Sequence, residues 1–103
     1  MAIHVFQDDE AGFSDWISRN ADGFVVNTRQ VLDPSYLVLH TARCRSMQTY
    51  RGMDQNPGGF TERGYQKICA ANVDELLSHL VAETGNRHPI TKYCSRCGAS
   101  RIA

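Results

Sequence analysis

The sequence predicts an α+β fold: a small, mainly antiparallel sheet of three to four strands, two helices packed against it, and a carboxyl-terminal zinc knuckle. Three observations carry that expectation. Short apolar or β-branched runs of strand length recur at residues 3–6, 24–27, 36–40 and 65–70. Two other segments, one after Asp8 and one after Asn72, space their apolar residues at helical intervals instead. Near the carboxyl end, Cys94-Ser95-Arg96-Cys97-Gly98 sets two thiols two residues apart, a spacing from which a tight turn can grip one tetrahedral ion.

Taken in order, residues 3–6 open with a short strand, and Asp8, Asp9 and Glu10 follow with the acidic side chains that suit the unsatisfied donors of a helix amino terminus. Phe13, Trp16 and Ile17 then recur at i, i+3 and i+4, giving the helix one apolar face until it stops near Asn20. Ala21-Asp22-Gly23 turns the chain into a buried strand at 24–27. Asp33-Pro34-Ser35 is a turn signal, and a third strand at 36–40 can pair with the second as a long-looped hairpin. Residues 45–64, rich in Arg, Gln, Asp, Asn, Pro and Gly, form the longest irregular segment. A loop of that length in so small a chain is usually functional or mobile. A fourth strand, 65–70, precedes a helix capped by Asn72 with Glu75 three residues on. Its core face is Val73, Leu76, Leu77, Leu80 and Val81, and Gly85 supplies its left-handed stop.

Composition narrows the function classes. At 103 residues, 42% hydrophobic and 21% charged, the chain is expected to form one domain spanning residues 1–103. Eleven basic and eleven acidic residues cancel, which disfavours a polybasic, histone-like mode of nucleic-acid binding. No run of eighteen apolar residues is present, and residues 1–12 lack the basic and apolar parts of an export signal, so a cytoplasmic location without membrane insertion is expected. In that compartment four cysteines point to metal ligation rather than disulfides.

The knuckle supplies two ligands, and a structural zinc site needs four. Cys44 and Cys69 are the other cysteines, each at or just past a strand end, so the expected site is one structural zinc held by Cys44, Cys69, Cys94 and Cys97. The alternative substitutes His40, four residues before Cys44, for one thiolate. Cys69 as plain core and a redox role for the knuckle are competing readings; the latter is disfavoured because no helix pattern follows the motif. Charge is also uneven along the chain. Arg43, Arg45, Arg51 and Arg63 cluster in the middle, interleaved with Tyr50 and Phe60. Such a mix can clamp phosphates and stack on bases, although the same arginines could simply offset the charge of a zinc thiolate centre.

Several stretches, namely residues 6–10, 23–27, 36–40 with Cys44, 65–70, and Cys94 with Cys97, together resemble a family of small bacterial proteins and domains with no established activity. The family pattern is a strand ending in Leu-His with a nearby Cys, a second Cys after a Tyr-containing strand, and a closing CxxC. The resemblance implies that the four cysteines act as one set. Thr41 and Phe60 stand where the family often has Arg and Trp, so a ligand-binding role of that pair would not carry over. Three roles are expected, in this order: a zinc-stabilised, non-catalytic module binding single-stranded nucleic acid, an adaptor for a protein partner, and an enzyme using His40 and Cys44 for acid-base or thiol chemistry.

Overall fold

The computed structural model describes residues 3–49, 53, 55 and 57–97. Its elements run β1 (His4–Phe6), α1 (Glu10–Arg19), β2 (Phe24–Arg29), β3 (Val38–Thr41), a single 3₁₀ turn (Arg45–Met47), β4 (Tyr65–Ala70), α2 (Val73–Thr84) and β5 (Lys92–Tyr93). The fold is α+β, and its sheet has five strands in the order β1-β4-β2-β3-β5 where three to four were expected. The extra strand is β5. It is two residues long and pairs in parallel with β3, Val38 opposite Lys92 and Leu39 opposite Tyr93. The other three pairings are antiparallel.

Both helices cap as their sequences dictate. The Asp9 carboxylate accepts the Gly12 N–H at 2.9 Å to start α1. At α2 the Asn72 side chain accepts the N–H groups of Asp74 and Glu75, and Gly85 ends the helix at φ 71°, a conformation that favours glycine.

Strand directions explain where the helices lie. Because β1 and β2 are each antiparallel to β4, they are parallel to one another, and α1 is the crossover between them. By the same logic β4 and β5 are parallel and joined through α2. Both crossovers move the same way across the sheet between strands of opposite direction, so the right-handed rule sends the two helices to opposite faces. The core follows suit. Phe13, Trp16 and Ile17 of α1 pack with Val25 and Cys69, whereas Leu76 and Leu80 of α2 pack with Val26, Leu39 and Ile68. Neighbouring strand residues alternate between these clusters, as a period of two requires.

Candidate metal centre

The C-terminal end of β3 positions the site. Phe24 opposes Thr41, and the N–H of Ala42 donates to the Gly23 carbonyl at 2.9 Å, which anchors the chain as it leaves the strand. Gly23 has no room for a side chain: a Cβ there would stand 2.8 Å from the Trp16 ring. Cys44 then turns into the 3₁₀ segment, its N–H bonded to the Thr41 carbonyl and its own carbonyl accepting from Met47. On the other side of β3, the N–H of Cys94 donates to the Leu39 carbonyl at 2.9 Å, so the strand that ends β5 delivers the knuckle alongside His40.

The result is one cluster. The ligand atoms of His40, Cys44, Cys94 and Cys97 all lie within 4.8 Å of one another, a geometry that could hold a metal ion. None of the cysteines is in a disulfide. Cys44 Sγ and Cys94 Sγ stand 3.8 Å apart, matching the ~3.8 Å that two thiolates at zinc–sulfur distances of about 2.3 Å subtend in a tetrahedron. The Thr41 N–H points at Cys97 Sγ from 3.4 Å, and the Ser46 hydroxyl lies 2.9 Å from Cys44 Sγ. Such contacts orient sulfur ligands and steady their charge.

His40 completes the set. Its ring is buried, and Nδ1 has no hydrogen-bond partner among the described residues. A buried polar nitrogen without a partner costs about 1–3 kcal/mol, and coordination of an ion would satisfy it. Burial first, and then the charges of Lys67 and Lys92, push the His40 pKa down to about 4, so the ring is neutral at physiological pH, as a ligand must be. Burial pushes the Cys44 thiol up to about 11. A metal bound there would displace that proton, since thiolate is the form that ligates.

Cys69 stands apart from the cluster, and the expected four-cysteine set is corrected to three cysteines and His40 as the residues the fold brings together. Register gives the reason. Cys69 opposes Val25 on one side of β2, and His40 opposes the same Val25 on the other. The two residues therefore share a sheet face but are two strands apart, about 10 Å. Cys69 is fully buried in the α1-side core, where burial raises its thiol pKa. His40-x3-Cys44 with Cys94-x2-Cys97 was the signal available in the sequence.

Among the described residues, those read as a nucleic-acid surface are not brought together. Phe60 belongs to the core, its ring centroid 5.4 Å from that of Phe13, so it is not a surface platform for a base. Arg43 pairs with Asp22 at 2.9 Å, and Arg45 is exposed on the 3₁₀ turn beside the metal cluster. Arg63 lies just before Tyr65, which pairs with Arg29 at the far end of β2 from Phe24. The five-residue span between those ends is about 17 Å. Tyr50 and Arg51 lie outside the described residues. Reasoning from sequence also missed a stack at that far end, where the Arg29 guanidinium sits 5.1 Å from the Tyr36 ring and 5.7 Å from the Tyr65 ring.

Among the described residues no helix is long and apolar enough to cross a membrane. No family model, no curated protein and no solved structure matches this chain.

Proposed function

We propose that this chain is a non-catalytic binding module whose carboxyl-terminal segment is clamped to its sheet by one structural zinc ion, with His40, Cys44, Cys94 and Cys97 as ligands. The single observation that carries the reading is the buried meeting of His40 with Cys44, Cys94 and Cys97, whose ligand atoms lie within 4.8 Å of one another at a histidine whose Nδ1 has no hydrogen-bond partner among the described residues. Four ligands from the protein close a tetrahedron and leave no position for water or substrate, which is the mark of a structural rather than a catalytic zinc site. Sulfur and imidazole donors favour zinc over the hard cations that prefer oxygen. The ion supplies a cross-link between β3 and the tail. The chain's own residues supply the rest: β3 and the Cys94–Leu39 hydrogen bond set the spacing, and burial keeps the imidazole neutral.

Metal analysis of protein purified without a histidine tag tests this directly. One zinc per chain is expected, and cobalt substitution should give the absorption of a three-thiolate rather than a four-thiolate centre. Protein that carries no metal, takes none up, and leaves all four thiols freely reactive in its native state would overturn the clamp.

A further inference from the structure

Beside the clamp, between the β3–β5 pair and the knuckle, lies a cleft of about 270 Å³ lined by Val38, His40, Ser46, Lys92, Ser95 and Arg96, together with Cys94. Two of its walls belong to the clamp itself. The others hold two cations and two hydroxyls. Lys92 and Arg96 are exposed, and neither has an acidic partner among the described residues, whereas Arg19, Arg29 and Arg43 each do. Lys92 is fixed by its place in β5 opposite Val38, and Arg96 by its place between the two knuckle cysteines.

Charge alone does not account for both cations. A zinc ion with three thiolates and a neutral imidazole carries one net negative charge, which a single cation offsets. Arg45, on the 3₁₀ turn that follows Cys44, can supply that offset, which leaves Lys92 and Arg96 both for the charge of about −2 of a phosphate in the cleft. The volume falls just below the roughly 300–1,000 Å³ of pockets for drug-sized ligands, which selects a small group. An ammonium, a guanidinium fork and the Ser95 hydroxyl offer donors from three side chains, the Ser46 hydroxyl proton being taken by Cys44 Sγ 2.9 Å away. Donors that reach the cleft from β5 on one side and from the knuckle on the other can each take a different oxygen of a tetrahedral phosphate, with the guanidinium fork pairing two of them.

We propose that this cleft binds a phosphate group, free or as a small phosphomonoester, between Lys92 and Arg96, with Ser95 as a further donor. The inference rests on the clamp reading for the placement of the knuckle and for the charge balance.

The test titrates metal-loaded protein with inorganic phosphate, glycerol phosphate and acetate at low, constant ionic strength while amide chemical shifts are followed. Saturable shifts confined to residues 38–40, 46 and 92–97 are expected with inorganic phosphate, glycerol phosphate or both. Whichever of the two binds more tightly identifies the source of the group. Acetate should bind about tenfold more weakly, and Lys92→Gln or Arg96→Gln should each weaken phosphate binding by about tenfold or more, as befits a lost charged hydrogen bond. Metal content is measured on every sample, so failure of the clamp registers as absent zinc and failure of the cleft as absent shifts in zinc-loaded protein. Shifts located elsewhere, equal binding of acetate, or undiminished binding in a double Gln variant that keeps its zinc would overturn the proposal. If a variant sheds its metal, the location of the shifts in the wild-type protein decides between these outcomes.

Discussion

Two buried polar groups on the α1 face of the sheet, Lys67 and His40, resolve the same physical problem in opposite ways. Lys67 is 2% exposed, yet its ammonium donates to Asn27 Oδ1 at 2.7 Å and to the Phe60 carbonyl at 2.5 Å, with the rings of Phe13, Phe60 and Tyr65 around it. The neighbouring Glu10 carboxylate accepts the N–H of Phe60, and both the N–H and the hydroxyl of Thr61. That network is closed by the protein alone. His40, 8% exposed, keeps one nitrogen with no partner among the described residues. The difference teaches how to separate structure from site. A buried polar cluster with its valences met is architecture, and one with an orphan atom facing ligand-type side chains points to something from outside.

Breaking the metal corner should have the largest effect. Under the proposed clamp, Cys94→Ser or Cys97→Ser removes one of four ligands, and structural zinc contributes roughly 10–16 kcal/mol in peptide systems, comparable to the whole stability of about 5–15 kcal/mol of an ordinary domain. Zinc should be lost, and cooperative unfolding in urea should collapse or shift to much lower denaturant. His40→Ala should also release zinc to a chelator that the wild-type protein resists. Zinc retention in that variant would assign the orphan nitrogen no role and erase the contrast with Lys67.

Breaking the closed network should cost less and leave the metal untouched. Lys67→Met orphans Asn27 Oδ1 and the Phe60 carbonyl, so a loss of about 1–3 kcal/mol is expected, with one zinc still bound by metal analysis. Smaller again is Cys69→Ala, which deletes one buried atom from a core position at about 1 kcal/mol and should not change zinc content. Loss of zinc on that substitution would restore the four-cysteine set.

The smallest effect is a pH dependence. Burial, opposed by Glu10 and Cys69, holds the Lys67 pKa down at about 8 against an ordinary 10.5. Between those values the unfolded chain binds a proton that the folded chain gives up, so this group makes stability rise with pH, starting near pH 8. Urea midpoints of zinc-loaded wild type and Lys67→Met should therefore diverge as pH is raised from 7.5 to 9, the wild type gaining relative to the variant. Parallel curves would show that Lys67 stays charged throughout, and that its network is stronger than its burial implies.

Much of the fold was legible because it is written locally. Phe13, Trp16 and Ile17 announced α1 by spacing, Asn72 and Gly85 bracketed α2, and four strands were read from their β-branched runs. What was not legible depends on which strand lies beside which. Strand β5 is two residues without a pattern of its own, and it exists because β3 offers Leu37 and Leu39 carbonyls to the N–H groups of Thr91, Lys92 and Cys94. Cys69 and His40 look equally suited to join the knuckle along the chain; only the insertion of β2 between their strands separates them. Phe60, set among polar neighbours in a long irregular segment, gave no local sign that its ring would be buried against Phe13. All four members of the cluster were thus on offer in the sequence, and the choice between Cys69 and His40 required the cross-strand register.

The shortness of β5 has a consequence for how the protein behaves in company. A strand at the rim of a sheet presents unpaired backbone groups that can template another chain, and natural sheets keep such rims short. Here the rims are β1, of three residues, and β5, of two. Behind β5 lies β3, whose Val38, Leu39 and His40 are all buried. Under the clamp reading the ion holds that two-residue cover in place. Releasing it would uncover an apolar strand with one side of its backbone unmatched, so metal depletion would turn a self-contained sheet into one that seeks a partner, and the first symptom of losing the ion would be chain-to-chain association.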